Sequence, residues 1–90
     1  MTKSKIYEVQ IVFRSQEELT RADLKELKKI EEHIEEKFGE VVDCKSGKDW
    51  MEMIAEVKNP SDVQAAVQRM LQEAGLTVEL QLKVTAEFKS

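Results

Sequence analysis

Hydrophobic residues in this 90-residue chain follow two different spacings, and one replaces the other at clear points along the sequence. Four segments carry an apolar side chain at about every second residue, which is the spacing of a strand with one buried face. These segments are residues 5–14, 41–46, 49–58 and 76–88. Two intervening segments, 24–38 and 63–74, carry apolar side chains every three or four residues, as amphipathic helices do. The sequence therefore predicts the element order β-α-β-β-α-β.

Each predicted strand has one strongly apolar face, which follows from simple alternation along the strand. In the first strand this face holds Tyr7, Val9, Ile11 and Phe13. The two middle strands form a hairpin with a tight turn around Gly47. Their shared apolar face holds Val42, Cys44, Met51, Met53, Ala55 and Val57, and the opposite face holds Val41, Asp43, Trp50, Glu52, Ile54 and Glu56. In the last strand the apolar face holds Leu76, Val78, Leu80, Leu82, Val84, Ala86 and Phe88.

Two capping boxes compete for the start of the first helix. One consists of Ser15 with Glu18, and the other, about one turn later, consists of Thr20 with Asp23. At the other end of this helix, Gly39 is expected to take the left-handed conformation that terminates helices.

The second helix has its own start and stop signals. Pro60 suits a first helical turn, and Ser61 with Gln64 forms a further capping box. Gly75 is expected to close the helix. The predicted buried stripe consists of Val63, Ala66, Val67, Met70, Leu71 and Ala74.

One arrangement buries all of these apolar faces together. Two helices with one stripe each pack on the same face of a four-stranded antiparallel sheet, and each crossover is right-handed. The βαββαβ order resembles the ferredoxin-like (split β-α-β) fold over nearly the whole chain, and this resemblance implies the sheet order 4-1-3-2. Ninety residues are enough for one such domain, residues 1–90, and not for two. We therefore expect a single α+β sandwich.

Composition and charge exclude several classes of function. The chain is 41% hydrophobic and 36% charged, with a net charge of −4, which is typical of a folded soluble domain. An acidic chain lacks the positive surface that nucleic-acid binding requires, and no apolar run approaches the ~20 residues of a membrane span. Because no signal-peptide pattern is visible and there is a single cysteine, we expect a cytoplasmic location.

Families that share this architecture have signatures that the chain lacks. Residues 9–14, Val-Gln-Ile-Val-Phe-Arg, are similar to the acylphosphatase signature, but Ile11 stands where the phosphate loop needs glycine. The positions at which an RNA-recognition motif stacks bases include Glu8, Glu52 and Glu56, which repel phosphate. The regular caps and turns resemble an idealised, computationally designed or engineered domain, although natural domains show such consistency too.

The single cysteine and the single histidine are the strongest candidate catalytic pair. His33 lies about 7.5 Å before the end of the first helix and Cys44 about 10 Å along the next strand, so both lie near one level. In a cysteine hydrolase, Cys44 attacks as the nucleophile, His33 acts as general base and acid, and Glu36 orients the imidazole. Lys45 and Lys48 are expected to favour the thiolate. The hypothesis is a weak esterase acting on a small activated ester, without cofactor or metal.

The same two residues also fit a non-catalytic interpretation. A lone cysteine is commonly a small hydrophobic residue, and a flank histidine among glutamates is commonly a surface residue. The chain is then a scaffold or a protein-interaction module with an incidental Cys44 and His33. The side of the sheet away from the helices offers an apolar centre for a partner or for self-association. The apolar residues of that side are Ile6, Val12, Val41, Trp50 and Ile54.

Overall fold

The computed structural model describes residues 5–89, in which the predicted β-α-β-β-α-β order is confirmed. In chain order the elements are β1 (Lys5–Arg14), α1 (Arg21–Lys37), β2 (Gly39–Ser46), β3 (Trp50–Val57), α2 (Pro60–Ala74) and β4 (Glu79–Lys89). The last strand begins later than the predicted residue 76. Leu76 instead lies in the turn just after α2, where its N–H donates to the carbonyl of Leu71 at 3.0 Å.

The four strands form one sheet in which every neighbouring pair is antiparallel. Their order is β2-β3-β1-β4, which is the predicted order 4-1-3-2 read from the other edge. The architecture is therefore the ferredoxin-like α+β fold that the sequence predicts. β1 and β3 are central, and β2 and β4 are the edges. No helix in residues 5–89 is both long and apolar enough to cross a membrane.

The core lies between the sheet and the two helices. The central strand β1 contributes Val9, Ile11 and Phe13, none of which retains exposed surface. The helical stripes contribute Leu27, Ile30, Ile34, Val63, Val67 and Leu71. Full burial of an apolar side chain of this size contributes roughly 1.5–3 kcal/mol relative to leaving it exposed. Across residues 5–88 no polar side chain is buried.

Thr20, rather than Ser15, caps the start of α1. The Oγ1 of Thr20 accepts the N–H of Asp23 at 3.1 Å, and the carboxylate of Asp23 accepts the N–H of Thr20 at 3.0 Å. At the other end, the prediction for Gly39 is wrong. The cap of α1 is Phe38, and Gly39 begins β2 without a positive φ.

Gly39 is needed because a side chain does not fit at this position, and not because the backbone is left-handed. It lies opposite Val57 in the β2–β3 ladder. A Cβ atom at this position would collide with the carbonyl oxygen of Glu56. The glycine therefore allows β2 to approach β3 closely as soon as α1 ends.

Asn59 caps the start of α2, two positions before Ser61 of the predicted capping box. The Oδ1 of Asn59 accepts the N–H of Asp62 at 3.4 Å, and Pro60 is the first helical residue. Ser61 therefore lies inside the helix and is not its cap. Gly75 ends the helix in the left-handed conformation, with φ 71°, as predicted.

A bulge in β2 changes which of its residues face the helices. The pairing with β3 shifts between Val41 and Asp43, so Val42 is an extra residue in the strand. The prediction that Val42 joins the apolar face is therefore wrong. Val41 packs against the core instead, and Val42 is 47% exposed. Cys44, opposite the buried Met53, lies on the helix side as predicted.

A second bulge, in β4, moves two apolar residues to the other side of the sheet. The pairing with β1 skips Thr85, which lies between Val84 and Ala86. Because an extra residue reverses the alternation, Ala86 and Phe88 lie on the side away from the helices, contrary to the prediction. Phe88 pairs with Ile6 and is 45% exposed.

Candidate functional site

Cys44 lies on the edge strand β2, on the side of the sheet that carries the helices. The residue is nevertheless exposed, because an edge strand has a neighbouring strand on one side only. Partial burial is the main cause that raises the pKa of the Cys44 thiol; the carboxylates of Glu31 and Asp43 raise this pKa further, and the Lys28 ammonium lowers it. The surroundings therefore favour the neutral thiol over the nucleophilic thiolate.

The lysines close to Cys44 in the sequence do not reverse this effect. The Nζ of Lys45 lies 3.9 Å from the Oδ2 of Asp43, so this ammonium faces a carboxylate. The Oδ1 of Asp43 in turn accepts the backbone N–H of Cys44 at 2.9 Å. The expectation that Lys45 and Lys48 favour the thiolate is not met, because the pKa of the Cys44 thiol is raised.

His33 and Glu36 lie on α1, where His33 is half-buried and Glu36 is exposed. The His33 ring packs edge-on against Phe38, with 5.7 Å between ring centroids. Lys28 and Glu31, whose charges act on the thiol, are three residues apart and share one side of α1. His33 lies two residues after Glu31, so the two side chains are roughly 160° apart around the helix and lie on nearly opposite sides of α1. In residues 5–89 no hydrogen bond joins His33 to the thiol or to Glu36, and the triad stays a prediction.

The open face is the side of the sheet that neither helix covers. Pairing places on it Ile6, Glu8, Gln10, Val12 and Arg14 of β1, Glu40, Asp43 and Lys45 of β2, Trp50, Glu52, Ile54 and Glu56 of β3, and Glu79, Gln81, Lys83, Ala86 and Phe88 of β4. Ile6, Val12 and Ile54 are half-buried between polar neighbours, and Trp50 is 37% exposed. The open face therefore has the predicted apolar residues, except that Phe88 joins them and Val41 does not.

A depression of about 510 Å³ lies on the open face beside Trp50. The residues that line it are Gln10, Val12, Arg14, Ser15, Asp49, Trp50, Glu52 and Gln81. Inside it, the Nε2 of Gln10 donates to the Oε2 of Glu52 at 2.9 Å. The Trp50 indole lies against Gly47, where a Cβ atom would collide with the ring. The absence of a side chain on Gly47 therefore leaves room for the indole in this position.

Backbone hydrogen bonds hold the loops at this end of the sheet. They run from Ser15 N–H to Asp49 O (2.8 Å), from Leu19 N–H to Lys48 O (2.7 Å) and from Gly47 N–H to Trp50 O (2.9 Å). The first two join the loop before α1 to the β2–β3 turn. Since both loops carry residues of the depression, its shape is fixed by main-chain contacts as well as by side chains.

Three carboxylates lie side by side across the sheet at the other end of the open face. Glu8 of β1 pairs with Glu56 of β3, and Glu56 pairs with Glu40 of β2. Thr85 donates its hydroxyl to the Oε1 of Glu8 at 2.8 Å. Like charges directly opposite on neighbouring strands destabilise a sheet. In the described range no group of three or more Asp, Glu, His or Cys residues is arranged to hold a metal ion.

Phe88 on the open face and Gly47 in the neighbouring turn have roles that the sequence pattern does not predict. Phe88 joins the face because of the bulge at Thr85, and the unbroken alternation of residues 76–88 contains no sign of that bulge. The sequence identifies Gly47 as a turn residue only. Its position three residues before the single tryptophan was a usable signal, because a tight turn brings such residues together.

No protein-family model matches this chain, and no curated protein matches it. The fold by itself does not identify a function either, since this architecture carries many unrelated functions. Function is therefore argued from the surfaces described above.

Proposed function

We propose that this protein is a non-catalytic interaction module that binds a protein partner through the open face. The observation that carries the proposal is the depression beside Trp50, on a sheet face that the helices leave uncovered. A half-exposed tryptophan next to half-buried aliphatic residues, with polar side chains around them, is the composition of a protein-binding surface. Tryptophan is also among the residues that contribute most to binding at such surfaces.

The contact surface of the partner combines an apolar side chain with basic side chains. An apolar side chain of the partner enters the depression against Trp50 and Val12. Its lysine or arginine side chains face the row formed by Glu8, Glu56 and Glu40, where three carboxylates are directly adjacent. Binding of a cation there removes a repulsion between neighbouring strands and adds specificity. A second copy of the open face would bring a second row of carboxylates, which favours a different protein as the partner.

The depression is largely formed before binding. The hydrogen bonds from Ser15 and Leu19 to the β2–β3 turn restrain the loops around it, and the absence of a side chain on Gly47 leaves room for the Trp50 indole. A preformed site loses less conformational entropy when a partner binds. The site therefore suits recognition of a short apolar and basic segment.

The raised pKa of the Cys44 thiol supports this function over the cysteine esterase, because the thiolate is the nucleophile in that chemistry. The depression beside Trp50 lies on the open face, whereas Cys44 lies on the helix side of the sheet. Binding through the open face does not involve the thiol. Cys44→Ser is therefore a matched control for a change at Trp50.

The test is a selection of binders from a random peptide display library, followed by titration of each peptide against the protein. Trp50 is the only tryptophan, so its fluorescence reports on this site alone. We expect peptides in which an apolar residue lies about four to six residues from lysine or arginine, because the carboxylate row lies four to six residues along the strands from Val12 and Trp50. These peptides should change the emission on binding. Trp50→Ala should weaken binding at least about tenfold, and Cys44→Ser should leave it unchanged. A selection without binders, or peptides that bind Trp50→Ala as tightly, would refute the proposal.

A further inference from the structure

We propose that two copies of this chain associate through the outer edge of β4, so that their sheets join into one. Apart from Gln81, which also lines the open-face depression, this inference uses residues outside that depression, and it does not depend on the proposed function. The occupant of the edge is a second copy, related to the first by a two-fold axis. The pairing is antiparallel and centred on Gln81.

β4 offers a long edge for such pairing. It is the outermost strand, and within residues 5–89 no strand pairs with its outer side. Its eleven residues, Glu79–Lys89, extend over about 36 Å. Backbone N–H and C=O groups along an outer edge are free to pair with another chain. The part before the bulge at Thr85 pairs regularly with β1 and is therefore a regular template.

Apolar residues on the helix side of β4 are incompletely covered. Val84 pairs with Val9, which is fully buried, yet Val84 itself is 48% exposed. Leu80 and Leu82 are partly buried against the core. A depression of about 260 Å³ between α2 and the start of β4 includes Leu71 and Leu80 in its lining. A further strand at this edge would cover the exposed sides of these residues.

The charges on β4 select a second copy as this further strand. In antiparallel pairing centred on Gln81, residue numbers of opposite residues add up to 162, so Glu79 lies opposite Lys83 of the second copy. The same pair occurs again on the other side of the two-fold axis. Leu80 then lies opposite Leu82 of the second copy, on the helix side. Oppositely charged and apolar cross-strand pairs both stabilise a sheet, and a symmetric interface contains each of them twice.

The bulge at Thr85 determines where the pairing ends. Residues 79–84 alternate regularly, with Glu79, Gln81 and Lys83 on the open face. After Thr85 the alternation reverses and the strand twists more strongly. Pairing is therefore limited to about six or seven residues on each copy, and it joins two four-stranded sheets into one of eight strands.

The test is sedimentation equilibrium over a concentration series up to about 1 mM. We expect a mass that rises from 10.4 kDa towards twice that value. Lys83→Glu should weaken dimerisation at least about tenfold, because it turns two attractive pairs into two repulsive ones. Glu79→Lys combined with Lys83→Glu should restore dimerisation, which a mere loss of folding could not do.

Trp50→Ala is the control that separates the edge from the open face. We expect it to leave the dimer unchanged. A monomer at every concentration, a dimer that tolerates Lys83→Glu, or a dimer that Trp50→Ala disrupts would each overturn the proposal. Peptide binding at the open face is measured separately with dilute protein, so failure of one proposal leaves the other standing.

Discussion

Gly39 and Gly75 each follow a helix in the sequence, yet they meet different physical requirements. Gly75 has φ 71°, and nothing lies within 4 Å of the place where a Cβ would be. Gly39 has no positive φ, but a Cβ there would collide with the carbonyl oxygen of Glu56. Gly75 therefore avoids backbone strain, and Gly39 avoids a clash with a neighbouring strand.

We predict that Gly39→Ala lowers the free energy of unfolding by about 3 kcal/mol, because the backbone of β3 must move. Gly75→Ala is the matched control and should cost about 1 kcal/mol, the strain of a left-handed alanine. Urea denaturation followed by circular dichroism measures both values. Equal losses, or a smaller loss for Gly39→Ala, would contradict the steric role assigned to Gly39.

The pKa of the Cys44 thiol leads to a second prediction at this scale. The pKa is raised by partial burial, then by Glu31 and Asp43, so at a given pH less thiolate is present than for a free thiol. Alkylation of Cys44 by iodoacetamide should therefore follow a pH profile displaced to higher pH. Glu31→Gln should move the profile to lower pH, and Lys28→Gln should move it to higher pH. The raised pKa favours the folded state below the unfolded thiol pKa, and this contribution is lost as pH rises through the folded pKa.

His33→Ala is the decisive control in the same experiment. We expect an unchanged profile, since the Cys44 pKa is set by the groups named above. Rapid alkylation below the ordinary thiol pKa of ~8.5, lost in His33→Ala, would establish the activated pair and revive the esterase hypothesis. Hydrolysis of p-nitrophenyl acetate would then be the next assay.

At the scale of secondary-structure elements, local signals placed the helices well and the strands less well. The stripes of α1 and α2 bury the predicted Leu27, Ile30 and Ile34 in one helix and Val63 and Val67 in the other. Strand alternation, in contrast, reverses at one bulge in β2 and one in β4. A helix makes its hydrogen bonds within itself, whereas a bulge depends on how a partner strand pairs.

The capping box of α1 supports a prediction at the element scale. Thr20→Ala should lower the free energy of unfolding by about 1 kcal/mol, because the N–H of Asp23 loses its acceptor. Ser15→Ala removes the rival predicted cap, whose hydroxyl serves only a local turn with Glu17, and should cost less. Thermal and urea denaturation compare the two variants. A greater loss for Ser15→Ala would mean that α1 begins earlier than Arg21.

At the scale of the whole molecule, the fold separates three surfaces. The helices cover one side of the sheet, the open face forms the other, and the edges are β2 and β4. The radius of gyration of 13.2 Å and extents of 47 × 22 × 17 Å describe an elongated molecule. Cys44 lies on the edge strand β2, and the strand proposed to pair with a second copy, β4, is the opposite edge. The depression lies between these edges, on the open face.

The candidate catalytic site was the least predictable part of the molecule. The sequence placed His33 and Cys44 near one level, because rise per residue is a local quantity. It did not determine the side of α1 that approaches β2, which depends on the rotation of the helix over the sheet. The charges of Lys28 and Glu31 act on the thiol, whereas His33 packs against Phe38.

The sequence by itself determined the order of the elements and most of the core, because hydrophobic spacing and helix caps act between residues close in the chain. The strand order followed from the resemblance of that element order to the ferredoxin-like fold. Tertiary structure decided the positions of Val42 and Phe88, the contact of Gly39 with Glu56 and the depression beside Trp50. Each of these depends on pairing between segments that are distant in the chain. One extra residue in such a pairing exchanges the two faces of a strand, and no local pattern records where that residue is accommodated.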